Sequence, residues 1–145
     1  MTETIFMKGK VFVDTNVLIY LFSKTEPEKR ERCAQLISSL DQENQLVWST
    51  QVMQEFCHVL IKKFKFPPEI VKEQLNLFDS FELVKNDRKI LETALDFQAM
   101  YNCSYWDSLI LSAATSAQCK HLLSEDMQTG QRFIGLKIQS PFENI

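Results

Sequence analysis

Glycine and proline are scarce, with three and four residues in 145, and no segment is enriched in either, so nothing in the chain reads as a linker, an internal repeat or a low-complexity stretch. No run approaches the roughly eighteen uninterrupted apolar residues that a membrane-spanning helix needs, and residues 1–10 hold no apolar signal core. A cytoplasmic protein without membrane contact is expected. Cysteine occurs as Cys33, Cys57, Cys103 and Cys119, never as a C-x-x-C pair. Their wide spacing among apolar or helical neighbours favours free buried thiols and argues against zinc. The only histidines, His58 and His121, stand alone in a helix-like and a strand-like run, and read as structural or surface residues before ligands. Positive charge is not in excess: 16 Lys and Arg against 19 Asp and Glu give a net charge of −3, which speaks against a nucleic-acid binder held by bulk electrostatics.

What the chain does have is apolar sequence throughout. Hydrophobic residues make up 45%, and eleven phenylalanines spread from Phe6 to Phe142, so residues 1–145 are expected to form a single domain with a sizeable core. Residues 10–14 (KVFVD) read as a buried strand with a turn at Thr15, and residues 16–22 as helical. Pro27 opens a charged helix over 28–40 whose Cys33, Leu36, Ile37 and Leu40 share one face. Residues 45–49 (QLVWS) give a second strand. A helix over 50–64 follows, with Met53, Phe56, Cys57, Leu60, Ile61 and Phe64 at helical spacing. Pro67 and Pro68 end it and start another helix through Leu77; residues 81–84 (FELV) then read as a strand and 88–100 as a helix. A helix over 104–117, a strand at 121–124 (HLLS) and a fifth strand at the edge, 136–139 (LKIQ), complete the order. The alternation predicts an α/β fold, a three-layer α/β/α sandwich around a mostly parallel sheet, with its site at the carboxyl ends of the strands.

Four acids depart from the ordinary pattern of solvated charge. Asp14 follows the apolar run of the first strand, and Asp126 follows HLLS in the same way. Glu55, between Val52 and Val59, and Asp107, stacked with Ile110, Leu111 and Ala114, lie early in their helices and are expected toward the core side. Each has a plainer reading. Asp14 fits a turn residue bonding the next backbone amide, Glu55 a partly exposed helix acid, Asp107 a capping box with Ser104, and Asp126 a loop acid or cap. Four at matching edges of one alternating fold outweigh those readings taken singly. Carboxylates packed together repel by roughly 4 kcal/mol per pair at 4 Å and an effective dielectric near 20, which implies a hard cation, Mg²⁺ or Mn²⁺, between them. Bound Mg²⁺ reverses the local potential, so such a protein looks more acidic by sequence than it is when loaded.

Through FVDTNVLIYLF, QVMQEF, YWDSLILSAA and HLLSEDMQTGQ the chain resembles the PIN-domain family, and within it the VapC-like toxins, over essentially its whole length. In that family an aspartate ending the first strand, a small hydroxyl residue and Asn begin the site, matching Asp14, Thr15 and Asn16. A helix glutamate matches Glu55, the aspartate opening a later helix matches Asp107, and an acid in an S/T-x-D pattern matches Asp126 with Ser124. Glu125 competes with Asp126, whose spacing from Ser124 is preferred. The family often has glycine where Cys119 or Lys120 stands, a matter of a turn. Residues 1–4 precede the usual start of such proteins, which marks Met7 as an alternative initiator.

The resemblance implies a metal-dependent ribonuclease in which Asp14 and Asp107 are the principal ligands, Asp126 and Glu55 complete the site, and Thr15, Asn16 and Ser124 orient ligands or phosphate. It also implies an RNA substrate, a homodimer and a cognate antitoxin blocking the site over the apolar surface near the first helices. Cations for the RNA phosphates are sought among Lys24, Arg30, Lys62, Lys63, Lys65 and Arg132, each of which also reads as a plain surface charge. Competing readings are a housekeeping PIN nuclease of RNA processing, a PIN-like binding module without activity, and phosphatase-like or receiver-like α/β domains using Asp14. The phosphatase pattern D-x-D has Asn16 in its third position here, and the adjacent acids and late lysine of a receiver are not visible.

Overall fold

The computed structural model describes residues 7–128 and 130–143. The reading of the N-terminus rests on residues 1–6, which lie outside the described residues. β1 (Val11–Val13) is buried at every position, as a strand covered on both faces must be. It pairs in parallel with β2 (Leu46–Ser49) on one side and β4 (His121–Leu123) on the other. Beyond them β3 (Glu82–Val84) and β6 (Leu136–Gln139) are also parallel, and the two-residue β5 (Arg132–Phe133) runs antiparallel to β6. The sheet order is β3-β2-β1-β4-β6-β5, so the expected α/β class with a mostly parallel sheet is what forms.

The expectation that residues 136–139 lie at the edge is corrected, because β5 covers them. A two-residue strand carries no periodicity to read. The hairpin that returns it places Ile134 and Gly135 at φ 45° and 78°, as a two-residue hairpin loop of the mirror-image type requires. Asn-Gly is the usual signal for that turn, and isoleucine disguises it. Gln118, at φ 62°, makes the turn before β4 without a glycine.

Helices begin where local chemistry allows. α1 (Thr15–Ile19), α3 (Thr50–Lys62), α5 (Arg88–Tyr101) and α6 (Tyr105–Ser116) are capped by the side chains of Asp14, Ser49, Asp87 and Ser104. Pro27 and Pro68 occupy the first turns of α2 (Pro27–Gln42) and α4 (Pro68–Leu75), where a missing N–H costs nothing. The chain moves outward from β1 through β2 to β3, then returns past β1 to β4. With right-handed crossovers this puts α1 to α4 on one face and α5 and α6 on the other, in keeping with the packing of α1 on α3 and of α5 on α6.

Between sheet and helices, α2 buries Cys33, Leu36, Ile37 and Leu40, as its spacing predicts. On α3 the buried stripe is narrower than predicted. Phe56 and Leu60 are inside, whereas Ile61, rotated about 100° from Leu60, is 47% exposed. Phe56 is the hub of an aromatic cluster with Phe78 at 5.2 Å, Phe22 at 5.7 Å and Trp48 at 6.4 Å between ring centroids. All four cysteines are free, but only Cys33 and Cys119 are buried; Cys57 and Cys103 are half-buried. Burial pushes the Cys33 and Cys119 thiols up to about 12, so both stay protonated and unreactive at neutral pH. Among the described residues no helix is long and apolar enough to cross a membrane. Because Phe56 is fully buried at the centre of the cluster, Phe56→Ala should lower stability by about 3–5 kcal/mol, read as a shifted midpoint of urea unfolding.

Candidate active site

β1 and β4 are neighbours whose onward connections leave in opposite directions, so a crevice opens at the carboxyl ends of these two strands. Asp14 leaves β1 there and residues 124–126 leave β4, with Asp14 N donating to Leu123 O at 2.9 Å. The Asp14 carboxylate caps α1, Oδ1 accepting from Thr15 N at 2.8 Å. Its Oδ2 accepts from Ser124 Oγ at 2.8 Å and from Asn16 Nδ2 at 3.2 Å. Asn16 Nδ2 lies equally 3.2 Å from Asp126 Oδ2 and 3.3 Å from Ser124 Oγ, while Asn16 Oδ1 accepts from Glu125 N at 3.0 Å. One amide therefore ties the two strand ends together. Thr15 reaches the other way, its Oγ1 donating to Glu55 Oε2 on α3 at 2.8 Å.

Three of the four acids thus join one hydrogen-bonded group with Thr15, Asn16 and Ser124. Asp107 stands apart from it. Its N–H donates to Ser104 Oγ at 3.0 Å, as the S-x-x-D spacing predicts, and its carboxylate takes no hydrogen bond among the described residues. The first turn of α6 is linked to the group through Gln51, whose Nε2 donates to Glu55 Oε1 at 3.2 Å and to the Trp106 carbonyl at 3.4 Å. Glu55 corrects the expectation of a core-side position: it is exposed, and Thr15 and Gln51 hold it instead of burial. Asp107 is half-buried.

Burial is the main reason that the Asp14 carboxyl is pushed up to about 6. The Ser124 and Thr15 hydrogen bonds pull it back, and the charges of Glu55 and Asp126 push it up further. Every donor on Asp14 is neutral, so at pH 7 its charge is solvated but not balanced. Among the described residues no three Asp, Glu, His or Cys side chains stand close enough to enclose a metal ion. The donor chemistry, oxygen throughout with Asp14 short of compensation, fits a hard divalent cation of the Mg²⁺ or Mn²⁺ kind.

Glu125 is turned away from this group. Its carboxylate accepts from Tyr20 Oη and from Lys29 Nζ at 3.3 Å, and the Lys29 ammonium also lies 5.0 Å from the centre of the Phe142 ring. Of the two adjacent acids it is Asp126 that faces Asn16. Tyr20 and Lys29 escaped the sequence reading because a turn brings them together from nine positions apart, a spacing with no local signature.

A cleft of about 670 Å³ runs from Asn16, Glu55 and Asp126, past Tyr20, His58 and Val59, to Lys63 and Phe64. Of the candidate cations Lys63 lines it; Lys62 and Lys65 are exposed near the same helix end but do not line it, nor does exposed Lys24, which stands between the lining residues Ser23 and Thr25. Arg30 Nη1 donates to Ser23 O at 3.1 Å. Arg132 is corrected as a site cation. It pairs with Lys137, and Lys137 with His121 at the amino end of β4, so it sits level with the far end of the strand from Ser124. His58 stands exposed on the cleft wall, consistent with a surface residue, and His121 is half-buried.

The family profile described as PIN domain matches residues 11–129. Comparison with curated proteins gave no match. Among solved structures, a toxin–antitoxin complex from Klebsiella pneumoniae is similar with a TM-score of 0.71 and 21% identity, over 93% of this chain and 100% of that one. DNA-bound VapBC from Salmonella typhimurium gives 0.67 and 16%, over 92% and 98%. The sarcin-ricin-loop-cleaving toxin VapC20 of Mycobacterium tuberculosis gives 0.66 and 14%, over 81% and 92%.

With its pKa raised from 3.8 to about 6, Asp14 binds its proton more tightly in the fold than in the unfolded chain. Stability is therefore lost as pH rises through that interval. In EDTA, wild-type stability should fall between pH 4 and pH 7.5 by on the order of 2 kcal/mol more than that of Asp14→Asn, which has no carboxyl there to titrate. Thermal melts across that range would show it, and an equal pH dependence in the two proteins would contradict the raised pKa.

Proposed function

The chain belongs to the PIN-domain family, a family of nucleases, and from that premise we propose that it is a metal-dependent endoribonuclease, the toxin of a type II toxin–antitoxin pair. The observation that carries the reading is the joining of Asp14 and Asp126 through the Asn16 amide at the strand switch point, with Glu55 tied to Asp14's neighbour Thr15. Asp14 and Asp126, joined by Asn16, would hold Mg²⁺ or Mn²⁺ in place of the Asp14 and Asp107 pair that the resemblance implies, with Glu55 and Asp107 completing the site directly or through water. When bound, the cation supplies a water of lowered pKa and neutralises charge developing on the phosphate. Thr15, Asn16 and Ser124 fix the carboxylates in place, and Lys63 offers the cleft a cation for an RNA phosphate.

The toxin role is supported by likeness along the full length of a chain from a toxin–antitoxin complex. A cognate antitoxin then covers the cleft between α1 and α3, whose wall mixes apolar Ile19, Val59 and Phe64 with polar groups. We further read residues 1–145 as one domain, cytoplasmic and homodimeric.

Purified protein should cleave structured RNA with Mg²⁺ or Mn²⁺ and not with EDTA, and Asp14→Asn or Asp126→Asn should fall below about one-hundredth of the wild-type rate. Equal cleavage by wild type and Asp14→Asn would place the activity elsewhere, and a phosphoryl group trapped on Asp14 would replace the reading with a phosphatase. For RNA binding measured in Ca²⁺, Lys63→Gln should reduce the slope of log K against log salt by about 1, whereas Arg132→Gln should leave it unchanged.

A further inference from the structure

Gln51 is 7% exposed, a polar side chain almost wholly inside the protein, four residues before Glu55 and so on the same face of α3. Its Nε2 bonds the Glu55 carboxylate and the Trp106 carbonyl, and its Oε1 is buried without a partner. The amide cannot turn over to satisfy that oxygen, because Oε1 would then face two acceptors. A buried acceptor left unpaired costs stability, so an apolar side chain of the same length would suit the fold better at this position. The cost is tolerated in a residue that hydrogen-bonds both Glu55 and the turn carrying Asp107.

We propose that Gln51 is a positioning residue for cation binding: it sets the Glu55 carboxylate and the first turn of α6 at a fixed separation, so that Glu55 and Asp107 approach the Asp14–Asp126 pair from defined directions. This rests on the metal-dependent reading of the site. Without Gln51, exposed Glu55 keeps only the Thr15 hydroxyl, and Asp107 loses the sole hydrogen-bonded link seen among the described residues between its turn and the other acids. Gln51 neither contacts the scissile group nor holds the cation. It acts through Glu55 and Asp107.

The test compares wild type with Gln51→Met, Gln51→Glu and Asp14→Asn, titrating Mn²⁺ by its electron paramagnetic resonance signal and measuring Tm in EDTA on the same preparations. Gln51→Met should melt at or above the wild-type temperature, since the unpaired oxygen is gone, yet bind Mn²⁺ about tenfold more weakly. Gln51→Glu, lacking the donor and adding charge beside Glu55, should not restore the lost order at Glu55. Its Tm should be the lowest of the set in EDTA, and its Mn²⁺ affinity should stay below that of the wild type. Gln51→Met with wild-type Mn²⁺ affinity, or with a Tm that falls while affinity holds, makes Gln51 a packing residue and overturns the proposal alone. A wild type whose Mn²⁺ binding does not depend on Asp14 overturns the metal-dependent reading itself, and this proposal with it.

Discussion

Negative charge has to be concentrated where β1 and β4 end, and much of the local structure answers to that requirement. Asp14, Asp126 and Glu55 come from three separate elements, and each is met by a neutral donor: Ser124 and Thr15 N for Asp14, Asn16 for Asp126, the Thr15 hydroxyl for Glu55. Neutral donors lower the self-energy of a carboxylate without cancelling its charge. They leave the group stable enough to fold and still short of a counter-ion, as the raised pKa of Asp14 records. Lysine or arginine in these places would have balanced the acids.

A second contribution comes from helix direction. α1 starts at Asp14 and α3 at the end of β2, while α6 is fastened by Gln51 so that its first turn adjoins that of α3. Three helix amino ends therefore meet near the same edge, each bringing backbone N–H groups and partial positive charge. The caps that end these helices correctly are in part the site residues themselves, Asp14 foremost. At Asp14, helix capping and membership of the site group fall on one set of atoms, whereas Asp107 shows only its backbone N–H on Ser104 Oγ.

Much of this was legible from residue types alone. The runs VFV and HLLS read as strands, which puts Asp14 and Asp126 at the sheet's carboxyl edge. Asp126 was separable from Glu125 by its distance from Ser124, whose hydroxyl accepts from the Asp126 amide at 3.2 Å. What failed depended on partners remote in sequence. Glu55 was placed inward because Val52 and Val59 flank it on the helix, but the start of α3 overhangs the crevice and nothing covers the acid. Arg132 was offered as a phosphate ligand from its charge, and only the pairing of β5 with β6 shows that it lies toward the other end of the sheet. Lys29 went unnoticed because its partners, Tyr20, Glu125 and Phe142, converge on it from three parts of the chain.

The sheet's central pairing joins residues more than a hundred positions apart, Val11 to Val13 with His121 to Leu123, and the amide of Asn16 spans the same interval. During synthesis β1 emerges early and must wait for nearly the whole of the described chain before β4 reaches it. A chain made only as far as β3 lacks the junction of Asp14, Asn16 and Asp126. The order of strands thus withholds the assembled group of carboxylates until both β1 and β4 have been made.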